Sequence, residues 1–125
     1  MARKKSLTLT EAEVKLMNVL WAQGASTVND VLAALPEQPP LAYSTVLTTL
    51  RILEDKGYLT HKKDGRAFLY VPKVPREQAQ RSALRLLLSR FFENSAEQLV
   101  LNLLKHEKLD AAELRRLRRT IEEAE

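Results

Sequence analysis

The chain has 125 residues, 45% hydrophobic and 29% charged, with three glycines, five prolines, no cysteine and a formal net charge of +4. That length suits one small domain, or one small domain with an oligomerisation element, and the composition is that of a folded, helix-rich chain rather than a disordered one. The missing cysteines exclude disulfides and thiolate sites for zinc, copper or iron–sulfur clusters, and they suit a reducing cytoplasm.

Arg3, Lys4 and Lys5 follow the N-terminal residues without the apolar run of a signal peptide, and no stretch approaches a membrane span, so a cytoplasmic protein is expected. The isoelectric point near 9.5 is a mild bias toward polyanions. Its distribution is more informative: residues 1–74 carry ten Lys/Arg against seven Asp/Glu, and residues 75–125 carry ten against nine.

A first helix is signalled by Thr10 as N-cap, Glu13 as its capping-box partner and Leu9 with Val14 as a hydrophobic staple. Val14, Met17, Leu20 and Trp21 are expected on its apolar face, and Gly24 closes it. Ser26 or Thr27 can cap a short second helix bearing Val28, Val31, Leu32 and Leu35, which Pro36 and Pro39-Pro40 end. A third helix is expected from Tyr43 or Ser44 to Lys56, with Val46, Leu50 and Leu53 inward and Gly57 as a left-handed stop.

Residues 58–63 and 66–71 then turn short, aromatic and β-branched around Asp64-Gly65, the favoured two-residue hairpin turn. That turn would set Leu59 opposite Tyr70 and His61 opposite Phe68. Pro72 ends the second strand, and Pro75 suits the first position of a new helix. Three further helices are expected, over about 75–92, from Ser95 to about His106, and from Asp110 onward. Asp110 and Glu113 would cap the last, with Leu109 and Leu114 as its staple.

Three helices followed by a two-stranded hairpin make the winged helix-turn-helix pattern. The fold expected is therefore mainly α with a small β-hairpin: a winged-helix DNA-binding domain over 1–74, then a three-helix dimerisation domain over 75–125. In such a module the second helix of the helix-turn-helix enters the major groove. On the third helix Ser44, Thr48 and Arg51 lie opposite the apolar face, with Thr45 beside them and Tyr43 at the start, a set able to reach bases or phosphates. The bland alternative is a solvated face of hydroxyls; the preceding turn and following hairpin favour DNA.

Lys62, Lys63 and Arg66 concentrate charge at the hairpin tip, where a wing would lie beside phosphates, the alternative being a solvated basic turn. Arg3, Lys4 and Lys5 fit an arm reaching DNA and a solubilising terminus equally well. Farther on, Leu84, Leu87, Leu88, Phe91 and Phe92 stand with Leu99, Val100, Leu101, Leu103 and Leu104, then Leu109, Leu114, Leu117 and Ile121. Three small helices cannot hide that much apolar surface alone. A two-fold dimer would bury it, with Leu84, Leu87, Leu88, Phe91, Leu99, Leu103, Leu114, Leu117 and Ile121 as the dimerisation set, and would present two reading helices to two half-sites. A compact monomeric helical cap is the alternative.

Catalysis finds little support. His61 sits in the hairpin and His106 at a helix end, both as expected surface residues, no Ser/His/Asp grouping or glycine-rich phosphate loop occurs, and the carboxylates are scattered. Neither an enzyme, a metal nor a cofactor is expected.

The segments Glu13 to Trp21 (EVKLMNVLW) with Gly24, Thr27-Val28, Tyr43 to Leu53 (YSTVLTTLRIL), Lys56-Gly57-Tyr58-Leu59, and Asp64-Gly65-Arg66 leading to Tyr70 and Pro72 carry a resemblance. In order and spacing, across nearly the whole chain, they resemble the penicillinase and methicillin-resistance repressors, the BlaI/MecI family of transcriptional regulators. The resemblance implies a homodimer that binds a palindromic operator through its winged-helix half, dimerises through its C-terminal helices and represses genes near its own. It further implies a membrane-bound sensor metalloprotease as partner, cleaving within the dimerisation helices at an Asn followed by a hydrophobic residue, a position that Asn102-Leu103 matches. The best-known members have Phe after that Asn, and here Leu103 stands there. A copper-responsive branch carries cysteine pairs near the C-terminus, and this chain has none.

The reading is thus a bacterial transcriptional repressor. Its rivals are a winged-helix protein-interaction module without sequence-specific DNA binding, and a repressor relieved by a small ligand held between the wing domain and the helices, for which the short loops leave little room.

Overall fold

A computed structural model describes residues 8–36 and 39–124; the basic arm at Arg3, Lys4 and Lys5 lies outside these residues. In chain order the described elements are α1 (Glu11–Gln23), α2 (Val28–Ala34), α3 (Tyr43–Asp55), β1 (Leu59–Asp64), β2 (Ala67–Pro72), α4 (Arg76–Phe91), α5 (Ala96–His106) and α6 (Ala111–Glu123). The strands form one antiparallel pair. This is the mainly helical fold with a small hairpin that the sequence predicts.

Local chemistry explains where the first elements start and stop. The Thr10 hydroxyl accepts from the Glu13 N–H while the Glu13 carboxylate accepts from the Thr10 N–H, so two orphan donors of α1 are satisfied reciprocally. Thr27, rather than Ser26, caps α2 in the same way with Asp30. Gly57, at φ +89, takes the left-handed position that ends α3.

One hydrophobic cluster joins the three helices to the hairpin: Leu16, Met17 and Leu20 from α1, Val28 and Val31 from α2, Val46, Leu50 and Leu53 from α3, and Tyr58, Leu59 and Tyr70 at the hairpin base. The inward face of α1 differs from expectation. Val14 is exposed and Trp21 only half-buried, whereas Glu13, Leu16, Met17 and Leu20 are buried. The inward stripe thus begins at an acid, which a reading based on apolar spacing passes over.

Glu13 can be inward because α3 supplies its counter-charge. Lys56 Nζ donates to Glu13 Oε1 at 2.7 Å and to the Thr8 carbonyl at 3.3 Å, tying the end of α3 to the start of α1. Burial pushes the Glu13 carboxyl up, but the hydrogen bond from Lys56, the Thr10 N–H, the Lys56 charge and the Thr10 hydroxyl outweigh it, and its pKa falls below the ordinary value. A carboxyl lowered on folding stabilises the fold fully above its unfolded pKa and loses that contribution as pH falls through the lowered folded value. Urea melts of Glu13→Gln against the parent should therefore differ by about 2–3 kcal/mol near neutrality, because Lys56 loses its partner. The gap should close as pH falls below the ordinary carboxylate value and through the lowered Glu13 value.

The hairpin turn sits one residue later than expected. Asp64 pairs with Ala67 and His61 with Tyr70, so Gly65 and Arg66, not Asp64 and Gly65, are the turn. Gly65 has φ +65 and Arg66 is not among the positive-φ residues, which is the pattern of a type II′ turn with Gly first. Leu59 consequently faces Pro72 rather than Tyr70, and His61 faces Tyr70 rather than Phe68. Each partner moves by two residues, so the side chains keep their faces. The base of β2 is pinned by Ser26, which exchanges both backbone hydrogen bonds with Tyr70, at 2.9 and 2.8 Å.

Beyond the hairpin the Trp21 indole N–H donates to the Val74 carbonyl at 2.9 Å, and the Arg76 guanidinium lies 5.3 Å from the Trp21 ring centroid. Ala79 on α4 joins the same core. The chain divides into two compact units between Leu86 and Leu87, inside α4, whereas the sequence suggests a boundary at 74/75. The later division follows from the first half of α4 packing on the first unit's core.

In the second unit, Ser95 caps α5 and Asp110 caps α6, each side chain accepting the N–H three residues on. The link from α4 to α5 bends through Glu93 and Asn94 at φ 49 and 61, a left-handed pair made without glycine. No residue of α5 or α6 is buried.

Candidate nucleic-acid interface

Helix α3 has two chemically opposite sides. Val46, Leu50 and Leu53 are fully buried, while Ser44, Thr45, Thr48 and Arg51 on the other side are exposed. By helical spacing Ile52 shares that outer stripe, and it is 41% exposed. Sequence reasoning passed over Ile52, since an isoleucine within an amphipathic helix reads as core. An exposed apolar side chain among short hydroxyls is suited to a thymine methyl group.

Tyr43 lies apart from the stripe. With Leu47 and Arg51 it lines a cleft of about 480 Å³, whose other walls are Thr27, Val28 and Asn29 at the start of α2 and Arg66, Ala67, Phe68 and Tyr70 of the hairpin. Two guanidiniums, two phenols, a hydroxyl and an amide thus border one hollow, a donor set that suits a phosphate oxygen. From sequence Thr27 was given no DNA contact, and Asn29 was not singled out, because a capping threonine and an exposed asparagine have ordinary structural explanations.

Arg51 is shared between two roles. Its guanidinium acts on the Tyr70 phenol, lowering its pKa, and with five donors it can also face the cleft. The Tyr70 phenol is nevertheless raised above its ordinary pKa, by burial first and by the Glu54 charge, against the lowering influence of Arg51.

Lys62, Lys63 and Arg66 are all exposed toward the hairpin tip. Nearer the base, His61 Nδ1 lies 2.6 and 2.8 Å from the two carboxylate oxygens of Glu54 on α3. A carboxylate only accepts, so Nδ1 carries the proton. The His61 ring also meets Phe68 edge-on at 4.9 Å and Tyr70 at 5.8 Å. His61 is thus more than the plain surface residue the sequence suggests, because it joins the wing to the helix beside it.

In the second unit the apolar side chains that three small helices were not expected to hide alone are largely in the open. Leu84 of the first unit and Leu87, Phe91, Leu103, Leu114, Leu117 and Ile121 of the second are exposed, Phe91 by 75%, while Leu88 and Leu99 are half-buried. Asn102 stands within α5, exposed, its amide N–H donating to the Gln98 carbonyl one turn earlier at 2.9 Å. Among the described residues, no group of three or more His, Cys, Asp or Glu could hold a metal ion, and no helix is long and apolar enough to cross a membrane.

A helix-turn-helix whose outer helix face is polar, followed by a hairpin with a cationic tip, defines a winged-helix DNA-binding protein. The family model described as penicillinase repressor matches residues 9–123. A penicillinase repressor of Bacillus licheniformis is 30% identical over 120 residues, 96% of this chain and 94% of that protein. The methicillin resistance regulatory protein MecI of Staphylococcus aureus (strain N315) is 25% identical over 114 residues, 91% of this chain and 93% of its own. Among solved structures, the solution structure of the DNA binding domain of the repressor BlaI is similar with a TM-score of 0.51 and 30% identity, over 60% of this chain and 93% of that one. The chain belongs to the penicillinase repressor family and is a transcriptional repressor; the family consists of repressors, not enzymes.

Proposed function

We propose that the protein represses transcription as a cytoplasmic homodimer on an operator of two inverted half-sites. Ser44, Thr45, Thr48 and Arg51 reach base edges from α3, Tyr43 stands at the flank of that set, and Lys62, Lys63 and Arg66 meet phosphates. The observation that carries this reading is the amphipathic helix α3, its inner side locked in the core and its outer side bearing short hydroxyls, Ile52 and Arg51, with Asp55 at its far end, next to a cationic hairpin. Dimerisation through Leu84, Leu87, Leu88, Phe91, Leu99, Leu103, Leu114, Leu117 and Ile121 is supported by how much of that set stays exposed in one protomer.

Release of repression by a sensor protease acting at Asn102-Leu103 fits the same arrangement. A cut within α5 removes part of the shared core, and each monomer then loses the effective-concentration advantage of holding two half-sites. The bond lies in a regular helix, so cleavage requires α5 to unwind locally at the protease.

Gel-shift titration of two variants tests the division of roles. Arg66→Ala should weaken binding to every sequence and reduce the slope of log affinity against log salt by about one phosphate contact, whereas Thr48→Ala should change which base is preferred. Equal losses on all sequences for both variants would refute the assignment.

A further inference from the structure

The reading helix and the wing address different features of DNA, bases and phosphates, so both engage at once only if their relative angle is fixed. An isolated two-stranded hairpin is at best marginally stable, and its orientation depends on what it is packed against. Here β1 is buried only at Leu59; from Thr60 to the tip every residue of the strand is exposed. Apolar packing therefore fixes the base of the wing and not its outer half.

Two residues beyond Leu59, the Glu54–His61 pair supplies a tie. Glu54 projects from α3, and both its oxygens lie within hydrogen-bond distance of His61 Nδ1. His61 in turn is braced against the rings of Phe68 and Tyr70 on the other strand.

We propose that Glu54 and His61 are positioning residues for operator recognition, a clasp that sets the angle of the wing against α3. The inference rests on the DNA-reading function proposed above. Neither residue need touch DNA; they act through Lys62, Lys63 and Arg66.

The test uses the full chain and an operator duplex that the wild-type protein has itself selected from random-sequence DNA. His61→Ala should lower operator affinity about five-fold and flatten its salt dependence, while thermal unfolding stays close to wild type because both side chains are partly exposed. In a background where Lys62, Lys63 and Arg66 are already alanine, the same substitution should cost nothing measurable, since the wing no longer contributes. Glu54→Ala should reproduce both results. An equal loss in the two backgrounds, or no loss in the first, would overturn the clasp while leaving DNA reading intact. A wild-type chain that selects no sequence would overturn DNA reading, and the clasp with it.

Discussion

Leu117→Asp is expected to turn a dimeric protein into a monomer and to lower operator affinity by about 100-fold or more. Leu114, Leu117 and Ile121 recur at helical spacing along α6, all exposed within one protomer, Leu117 by 52%. A charge at an exposed position costs the protomer little, so its effect falls on whatever covers that stripe. If the cover is a second copy, a carboxylate enters the interface from both sides and is desolvated without a partner. Sedimentation equilibrium should show the mass halved, and circular dichroism should show the helices retained. A wild-type protein that sediments as a monomer and still binds its operator tightly would remove the dimer from the account.

Leu50→Ala should have the largest effect on stability. Leu50 is fully buried at the meeting of α1, α2 and α3, on the side of α3 opposite Thr48. Truncation removes apolar burial and leaves a cavity that surrounding helices fill only in part, a loss of about 2–5 kcal/mol. Against a total stability of about 5–15 kcal/mol, that places the variant near the folding threshold. Thr48→Ala, two residues away but outward, should change stability by less than about 0.5 kcal/mol. Urea unfolding of the two variants separates them: similar losses would mean that α3 lies in another rotation and that its outer stripe is not the reading face.

How much of this was legible from the residues depends on what kind of signal each position carries. The caps at Thr10, Ser95 and Asp110 were readable because an oxygen three residues before a helical N–H has one good use at a helix start. So was the inward stripe of α3, because Val46, Leu50 and Leu53 sit at unambiguous helical spacing. The inward Glu13 was not, since its burial depends on Lys56, far away in sequence, and periodicity contains no term for a distant counter-charge. The hairpin turn was misplaced by one residue because Asp64-Gly65 and Gly65-Arg66 are both acceptable two-residue turns, and pairing of Ser26 with Tyr70 at the far end contributes to the choice. The Glu54–His61 tie was illegible for the same reason as Glu13, being a contact between two elements whose relative placement periodicity does not contain.

The candidate interface was legible in outline and incomplete in detail. Hydroxyls and cations announced the outer stripe and the wing tip, since those residue types at those positions match DNA chemistry. Ile52 and Asn29 did not announce themselves, because each has an ordinary structural explanation that only exposure and the shape of the cleft replace.

The central claim is that this chain reads a symmetric DNA sequence through paired copies of α3. Footprinting the full-length protein on a duplex it has selected from random-sequence DNA tests it most directly. The account predicts two protected half-sites in inverted orientation, about one helical turn of DNA or a multiple apart, with protection lost on scrambled DNA of equal length. A uniform, weak footprint on both duplexes would contradict it, leaving a basic winged helix whose α3 face recognises something other than DNA sequence.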